Sequence, residues 1–313
     1  MNILSEHHIR ELYDQRVALE MLREGFLAYS AGEVQLPPAQ QFRFENADGD
    51  CCIKSAWITG SSSFCLKVST GFYQNSCHGL PASDGLTMVF SAQTGQPLAL
   101  LNDHGWLTAM RTALAGRIAA ELLLPAQVER IAVFGTGLQA ELQLRQLLQL
   151  TPCHDVIVWG RRQEALDRFQ DKLSDEHMRL VTTLSAEEAA SNASLIVTAT
   201  PSVSPLIRAE WIRPGTHITA IGADAPGKQE LDAAILANAA CILVDSVDQC
   251  SAYGELSHLP AANTAKKVLE LGHLLRNRQQ YHRAVRDITV ADLTGLGVQD
   301  AQIAASILKQ HTQ

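Results

Sequence analysis

Residues 130–140 read Arg130-Ile131-Ala132-Val133-Phe134-Gly135-Thr136-Gly137-Leu138-Gln139-Ala140. Four apolar residues without polar alternation (Ile131–Phe134) are the pattern of a short strand buried on both faces. The glycines and the small Ala140 then open a run with helical apolar spacing. In that strand–turn–helix context, Gly135 permits a tight turn, Gly137 lets a phosphate approach the backbone, and Ala140 lets the helix pack closely on the strand. The free N–H groups and the positive end of the helix dipole suit a pyrophosphate. The stretch therefore predicts a Rossmann-type α/β domain, with Gly135, Thr136, Gly137, Leu138 and Gln139 binding a dinucleotide.

Downstream, a helix is expected over Gln139–Gln149, a strand over Asp155–Trp159 and a helix through Ala165–Leu173, followed by strands over Leu195–Thr198, His217–Ile221 and Cys241–Asp245. This rhythm builds a doubly wound parallel sheet. Beyond Asp287 come one more strand, a glycine-containing turn and a terminal helix. Upstream the pattern differs. Ser5 caps a short helix, and a longer one covers Arg16–Ala31 and stops at Gly32. Short β runs follow at Gln41–Phe44, Cys51–Thr59, Phe64–Ser69, Leu86–Ser91 and Pro97–Leu101, the last two joined by an Ala92–Gly95 hairpin turn. A helix over Thr108–Leu124 ends at Pro125. The expected architecture is a parallel-sheet domain over 119–290, inserted into a smaller α+β domain formed by 1–118 with 291–313, which carries substrate binding and dimerisation.

The strand Val156–Trp159 runs into Gly160-Arg161-Arg162 with no acid. A carboxylate there would bond both ribose hydroxyls of NAD, whereas a guanidinium binds a 2′-phosphate through charge-assisted bonds. Gly160, Arg161 and Arg162 therefore point to NADPH, with NADH still possible. The bland alternative is a solvated helix start.

With 313 residues the chain is long enough for two cores, and a net charge of -8 argues against nucleic-acid or anionic-membrane partners. No apolar run approaches the ~20 residues needed to span a bilayer. The charged start MNILSEHHIRELYD lacks the apolar centre of a secretory signal. The seven cysteines are scattered without a C-x-x-C pair, so neither a zinc site nor a disulfide framework is expected, and a reducing cytoplasm is.

Taken together, several motifs resemble the ornithine cyclodeaminase/mu-crystallin family over nearly the whole chain. They are Phe64-Cys65-Leu66-Lys67-Val68 followed by Asn75, Leu107-Thr108-Ala109-Met110-Arg111-Thr112-Ala113, the glycine turn, Thr200-Pro201-Ser202, Ile221–Lys228, Val244-Asp245 through Gly254-Glu255, and Asp292-Leu293-Thr294-Gly295. The chemistry fits the residues. A small α-imino or α-amino acid carries a carboxylate that needs cationic donors, which Arg43, Lys67 and Arg111 supply. Lys67, if desolvated, also exchanges a proton with the substrate nitrogen. Asp224 ends a parallel strand, where such sheets place ligands, and suits an iminium or ammonium. The resemblance implies these roles for Lys67, Arg111 and Asp224, and more loosely for Arg43. The plainer readings are a surface strand residue for Arg43, local pairing for Arg111, a structural ammonium for Lys67 and a turn residue for Asp224. Thr112, Thr200, Pro201 and Thr294 are expected beside the cofactor, although they also suit turns and helix packing. His78 and His104 flank loops and read as surface histidines.

The resemblance implies three chemistries: cyclodeamination of ornithine, amino-acid dehydrogenation of the alanine type, and reduction of a cyclic C=N bond. Cyclodeaminases of the family retain an acid for the NAD ribose and a Glu facing the distal amine of ornithine; here the positions read Gly160-Arg161-Arg162 and Lys54. They also carry a longer C-terminal extension. The expectation is therefore NADPH-dependent reduction of Δ1-pyrroline-2-carboxylate or Δ1-piperideine-2-carboxylate by a homodimer. Ornithine cyclodeaminase, an alanine-type dehydrogenase and a non-catalytic NADPH-binding protein are the alternatives.

Overall fold

The computed structural model describes residues 1–72, 74–174, 176–260 and 268–311. It divides into two compact units, Met1–Arg111 with Leu296–Gln313, and Thr112–Gly295.

The first unit is built on a mixed sheet. Its elements are β1 (Asn2–Ser5), α1 (Glu6–Leu12), α2 (Gln15–Ser30), β2 (Val34–Gln35), β3 (Gln40–Phe44), β4 (Gly49–Ile58), β5 (Ser63–Phe72), β6 (Ser83–Ser91) and β7 (Pro97–Asn102), before α3 (Trp106–Leu123) begins. The strand order is β1-β7-β6-β5-β4-β2, with β3 also on β4. Only β1 is parallel to its neighbour, Asn2 lying opposite Ala99; the rest are antiparallel. Ser5 accepts from the His8 N–H as the cap of α1. Gly95, at φ +71, closes the β6–β7 turn with a bond from its N–H to the Ser91 carbonyl. The face that matters is set by register. Lys54 of β4 lies directly opposite Lys67 of β5, which lies opposite Thr87 of β6, so the period of two puts all three on one side of the sheet.

The second unit follows with β8 (Ile131–Phe134), α4 (Leu138–Leu147), β9 (Asp155–Trp159), α5 (Gln163–Lys172), β10 (Arg179–Thr183), α6 (Ala186–Ser191), β11 (Leu195–Thr198), β12 (Val203–Ile207), β13 (His217–Ala220), β14 (Gln229–Leu231), α7 (Ala233–Asn238), β15 (Cys241–Val244), α8 (Val247–Tyr253), β16 (Val268–Glu270), α9 (Leu271–Arg276) and β17 (Thr289–Asp292). The main sheet is parallel throughout, in the order β10-β9-β8-β11-β13-β17-β15-β16. Side chains alternate across it. Ile131, Val133, Val156 and Val158 pack with Leu144, Leu147, Leu166 and Phe169 of α4 and α5. Ala132, Phe134, Ile157 and Trp159 pack with Ala189, Ala190, Ile235 and Leu236 of α6 and α7. Two cores on two faces make the sheet doubly wound, as the continuous apolar strands predict.

The chain then returns to the first unit as α10 (Gly297–His311), which packs on α2. The Cβ of any larger residue at Gly25 would lie 2.9 Å from Gln302 Cγ, and Gln302 donates to the Met21 carbonyl at 2.7 Å. The boundaries differ from the expected 118 and 290. The division falls inside α3, after Arg111. β17 pairs with β13 and β15, so Ala291 and Asp292 lie in the parallel sheet, and residues 291–295 belong to the second unit, not to the first.

Candidate active site

The first unit buries a charged cluster. Lys67 and Arg111 are 3% and 6% exposed, and Asp300, in the first turn of α10, is 2% exposed. The Lys67 ammonium stands 3.2 and 3.1 Å from the two Asp300 oxygens. Arg111 donates through Nε to Asp300 at 3.0 Å and through Nη1 to Gln299 at 2.9 Å. Asp103 lies in the same field, where its carboxylate caps α3 by accepting from the Leu107 N–H at 2.7 Å. Burial brings the Lys67 amine down to about 8, helped by the repulsion of Arg111 and Lys54 and opposed by Asp300. Burial pushes the Asp300 carboxyl up, but Lys67, Arg111 and Lys54 outweigh it and hold it below its ordinary value. Burial raises Asp103 to about 6, so it remains an anion at neutral pH. Lys54, Lys67 and Arg111 therefore share this field with two carboxylates, Asp103 and Asp300. Of the cations, Lys67 and Arg111 are buried, and a buried ammonium and guanidinium are donors of the kind that suits a carboxylate. The guanidinium carries more N–H donors than its two bonds use, so it can still grip that group.

The second unit presents the glycine turn. Gly135 takes φ +124, and a Cβ on it would stand 2.7 Å from the Ala199 carbonyl oxygen, where β8 and β11 diverge at the switch point of the sheet. Gly137 precedes α4 without any side-chain cap, and a Cβ added to it would meet nothing within 4 Å. That open approach to uncapped helical N–H groups is what a pyrophosphate requires. Gly160 approaches the turn so closely that a Cβ would lie 2.9 Å from Thr136 Cγ2. Beside the turn is a cavity of about 330 Å³, lined by Thr136, Gly137, Leu138, Glu141, Arg162, Ala165, Arg168, Phe169 and Lys172. Its cations outnumber its one acid, and Glu141 is already bonded to Lys172 at 2.5 Å and Arg145 at 3.1 Å. The residues thus fit a dinucleotide, with exposed cations beside the turn. Arg161 and Arg162 are both exposed at the end of β9.

The sequence model of the ornithine cyclodeaminase/mu-crystallin family matches residues 1–313. The chain belongs to that family. A cyclodeaminase of Sinorhizobium fredii, itself uncharacterized, is 36% identical over 310 residues, covering 97% of this chain and 94% of that protein. Alanine dehydrogenase of Archaeoglobus fulgidus is 33% identical over 309 residues (96% and 92%). A Δ1-pyrroline-2-carboxylate reductase of Paracoccus denitrificans is 30% identical over 302 residues (94% and 92%). Among solved structures, an archaeal alanine dehydrogenase dimer with bound NAD superimposes with a TM-score of 0.90 at 31% identity, covering 100% of this chain and 96% of that one. Family membership and the Rossmann turn together make the chain an NAD(P)-dependent oxidoreductase.

For this family member the other expected site residues fall as follows. Asp224 lies on the exposed loop after β13 and pairs with Lys228 at 2.6 Å. Thr200 donates to Glu230 through both its N–H and its hydroxyl, each at 2.7 Å, and Pro201 beside it is exposed. Thr294 donates its hydroxyl to Asp245 at 3.0 Å and accepts from Gln249 at 2.9 Å, which ties the turn after β17. Thr112 offers its carbonyl to Gln143 at 3.0 Å, and Gln139 lies in the first turn of α4. Arg43 is exposed on β3 opposite Asp50, four positions before Lys54 on β4, or roughly 13 Å of strand. The structure thus brings Lys67 and Arg111 onto one carboxylate and leaves Arg43 in solvent. His104 is exposed at φ +52, with Nδ1 3.1 Å from Asp84.

Asp300, Gln299, Asp103, Arg168 and Lys172 are additions to the expected set. Asp300 reads in sequence as an ordinary first-turn acid of a helix, a placement the helix dipole favours by itself. Arg168 and Lys172 read as the solvated face of α5.

Proposed function

We propose that the chain is an NADPH-dependent reductase of cyclic ketimines, converting Δ1-pyrroline-2-carboxylate or Δ1-piperideine-2-carboxylate to L-proline or L-pipecolate as a homodimer. The observation that carries this reading is the pairing of Lys54 with Lys67 over Asp300. The cluster presents cations to a substrate carboxylate, and a second amine on the substrate would meet those same cations. Repulsion of that kind amounts to a few kcal/mol where screening is poor, which disfavours a diamino acid.

Bound NADPH supplies the hydride for the imine carbon. Arg111 and Lys67 hold the ring carboxylate, and their charge orients the C=N bond. Lys67, with an amine poised near 8, stands as the proton source for the ring nitrogen at neutral pH. Asp224 is the second candidate for that proton and for pairing with the iminium. Arg162 and Arg168, with Arg161 beside them, hold the 2′-phosphate at the cavity by the glycine turn.

A second reading, an alanine-type dehydrogenase, is favoured by the resemblance to the Archaeoglobus enzyme. It needs the same carboxylate grip but no ring. The assay separates them: NADPH absorbance is followed with each cyclic imine and with pyruvate plus ammonia. Faster turnover of the imines is expected. Turnover of pyruvate alone would replace the first reading with the second, and ammonia release from ornithine would overturn both.

A further inference from the structure

Asp300 has no substrate-facing role of its own, yet it touches both groups that have one. Its carboxylate accepts from Lys67 Nζ at 3.2 Å and from Arg111 Nε at 3.0 Å. The neighbouring residue on α10, Gln299, takes the Nη1 of the same guanidinium at 2.9 Å. Lys67 comes from β5 and Arg111 from α3, so neither element fixes the other's side chain. The two cations would repel one another if nothing lay between them.

We propose that Asp300 is the positioning residue of the substrate site, a buried carboxylate that holds the ammonium of Lys67 and the guanidinium of Arg111 side by side for a single substrate carboxylate. The proposal rests on the reading above that these cations bind the substrate. The alternative is an ordinary buried ion pair whose effect is charge balance alone.

The two differ in sign. Replacing Asp300 by Asn makes the cluster more positive, and charge balance alone predicts tighter binding of a carboxylate. Positioning predicts the reverse, because the cations are free to separate and a misplacement of about 1 Å costs on the order of 100-fold in rate. The charged and titratable groups that face Lys67 are Asp300 on α10, Arg111 on α3, Asp103 before α3, Lys54 on β4, and Cys65 on β5 itself. Asp300 is the closest of the anions. Its loss therefore makes Lys67 easier to deprotonate, and the alkaline limb of the kcat/KM profile moves to lower pH.

The test uses the full-length protein and its Asp300→Asn and Asp300→Glu variants. Three quantities are measured: kcat/KM against pH with the cyclic imine, affinity for pyrrole-2-carboxylate as a non-reducible probe, and affinity for NADPH. For Asp300→Asn we expect a fall in kcat/KM of about 100-fold, an alkaline limb at lower pH, weaker binding of pyrrole-2-carboxylate and unchanged NADPH affinity. Asp300→Glu keeps the charge but moves it by one methylene; it should keep the pH limb and still lose about tenfold in kcat/KM. Tighter probe binding by Asp300→Asn, or wild-type kinetics in Asp300→Glu, overturns the proposal. The Glu variant decides the matter even where the Asn variant fails to fold. A wild-type protein that binds the probe with this Asp300 dependence yet reduces no imine would sink the ketimine reading alone. One that binds neither imine nor probe sinks both.

Discussion

Both units bury carboxylates, but for opposite ends. In the first unit Asp300 is held by an ammonium and a guanidinium, and this keeps its carboxyl below the ordinary value. In the second unit Glu230, Glu255 and Asp292 are held by neutral donors. Glu230 accepts from Thr198, Thr200 and Gly222; Glu255 from the N–H groups of Glu230 and Leu231; and Asp292 from the N–H of Leu256. Burial raises all three, Glu255 to about 8 and Asp292 to about 7. An acid met by cations sets the charge of a site. An acid met by amide hydrogens ties loops together, here those at the carboxyl ends of β11, β13 and β17. The cations differ likewise, buried around Asp300 and exposed at the glycine turn.

The largest expected effect comes from Lys67→Met. It removes the proton source and half of the grip on Asp300, so kcat/KM with the imine should fall by about 10²–10⁴-fold while NADPH affinity holds. If NADPH affinity fell in parallel, the cluster would be structural and the contrast would break.

A smaller loss is expected at the exposed cations. Arg162→Ala with Arg168→Ala should raise the KM for NADPH by about 10–100-fold and leave that for NADH nearly unchanged. The loss should shrink in high salt, because exposed charges are screened. Equal effects on both cofactors would remove the argument for a 2′-phosphate at this cavity.

The smallest effect concerns the loop-tying acids and is read in stability. A carboxyl raised from 4.5 to about 8, as in Glu255, keeps a proton in the folded protein that the unfolded chain releases. Its stabilising contribution is therefore greatest at low pH and is lost as pH rises from 4.5 towards 8. Asp292 adds the same trend between 3.8 and about 7. Tm should fall across that window, and Glu255→Gln should flatten the fall by a few degrees. A steeper fall in the variant would mean that the carboxylate form is the one the loops need.

The β8–turn–α4 segment was legible because each of its local signals agrees: the apolar run, the glycine turn and the small residue all point to one motif. The mixed sheet is legible strand by strand except at β1 and β2, because strands of four and two residues form only through partners distant in sequence, β7 and β4. β10 was missed for a similar reason, its sequence Arg-Leu-Val-Thr-Thr lying at the sheet edge with polar positions. The family resemblance, with the chemistry of the residue types, singled out Lys67 and Arg111. Asp300 was invisible, since its partner is 233 positions away and nothing in Gly-Val-Gln-Asp-Ala-Gln separates it from any helix-opening acid.

That separation also orders events during synthesis. Domains fold largely as they emerge from the ribosome, amino-terminal parts first. The second unit is one uninterrupted segment, Thr112–Gly295, and every residue of its parallel sheet has been made once β17 is complete. The first unit must wait. Its two buried cations are made early, but their counter-charge arrives only with α10, after the whole nucleotide-binding segment has emerged. Until then Lys67 and Arg111 cannot be buried without an unpaired charge, which is costly, so the half of the molecule that begins first is the half that closes last.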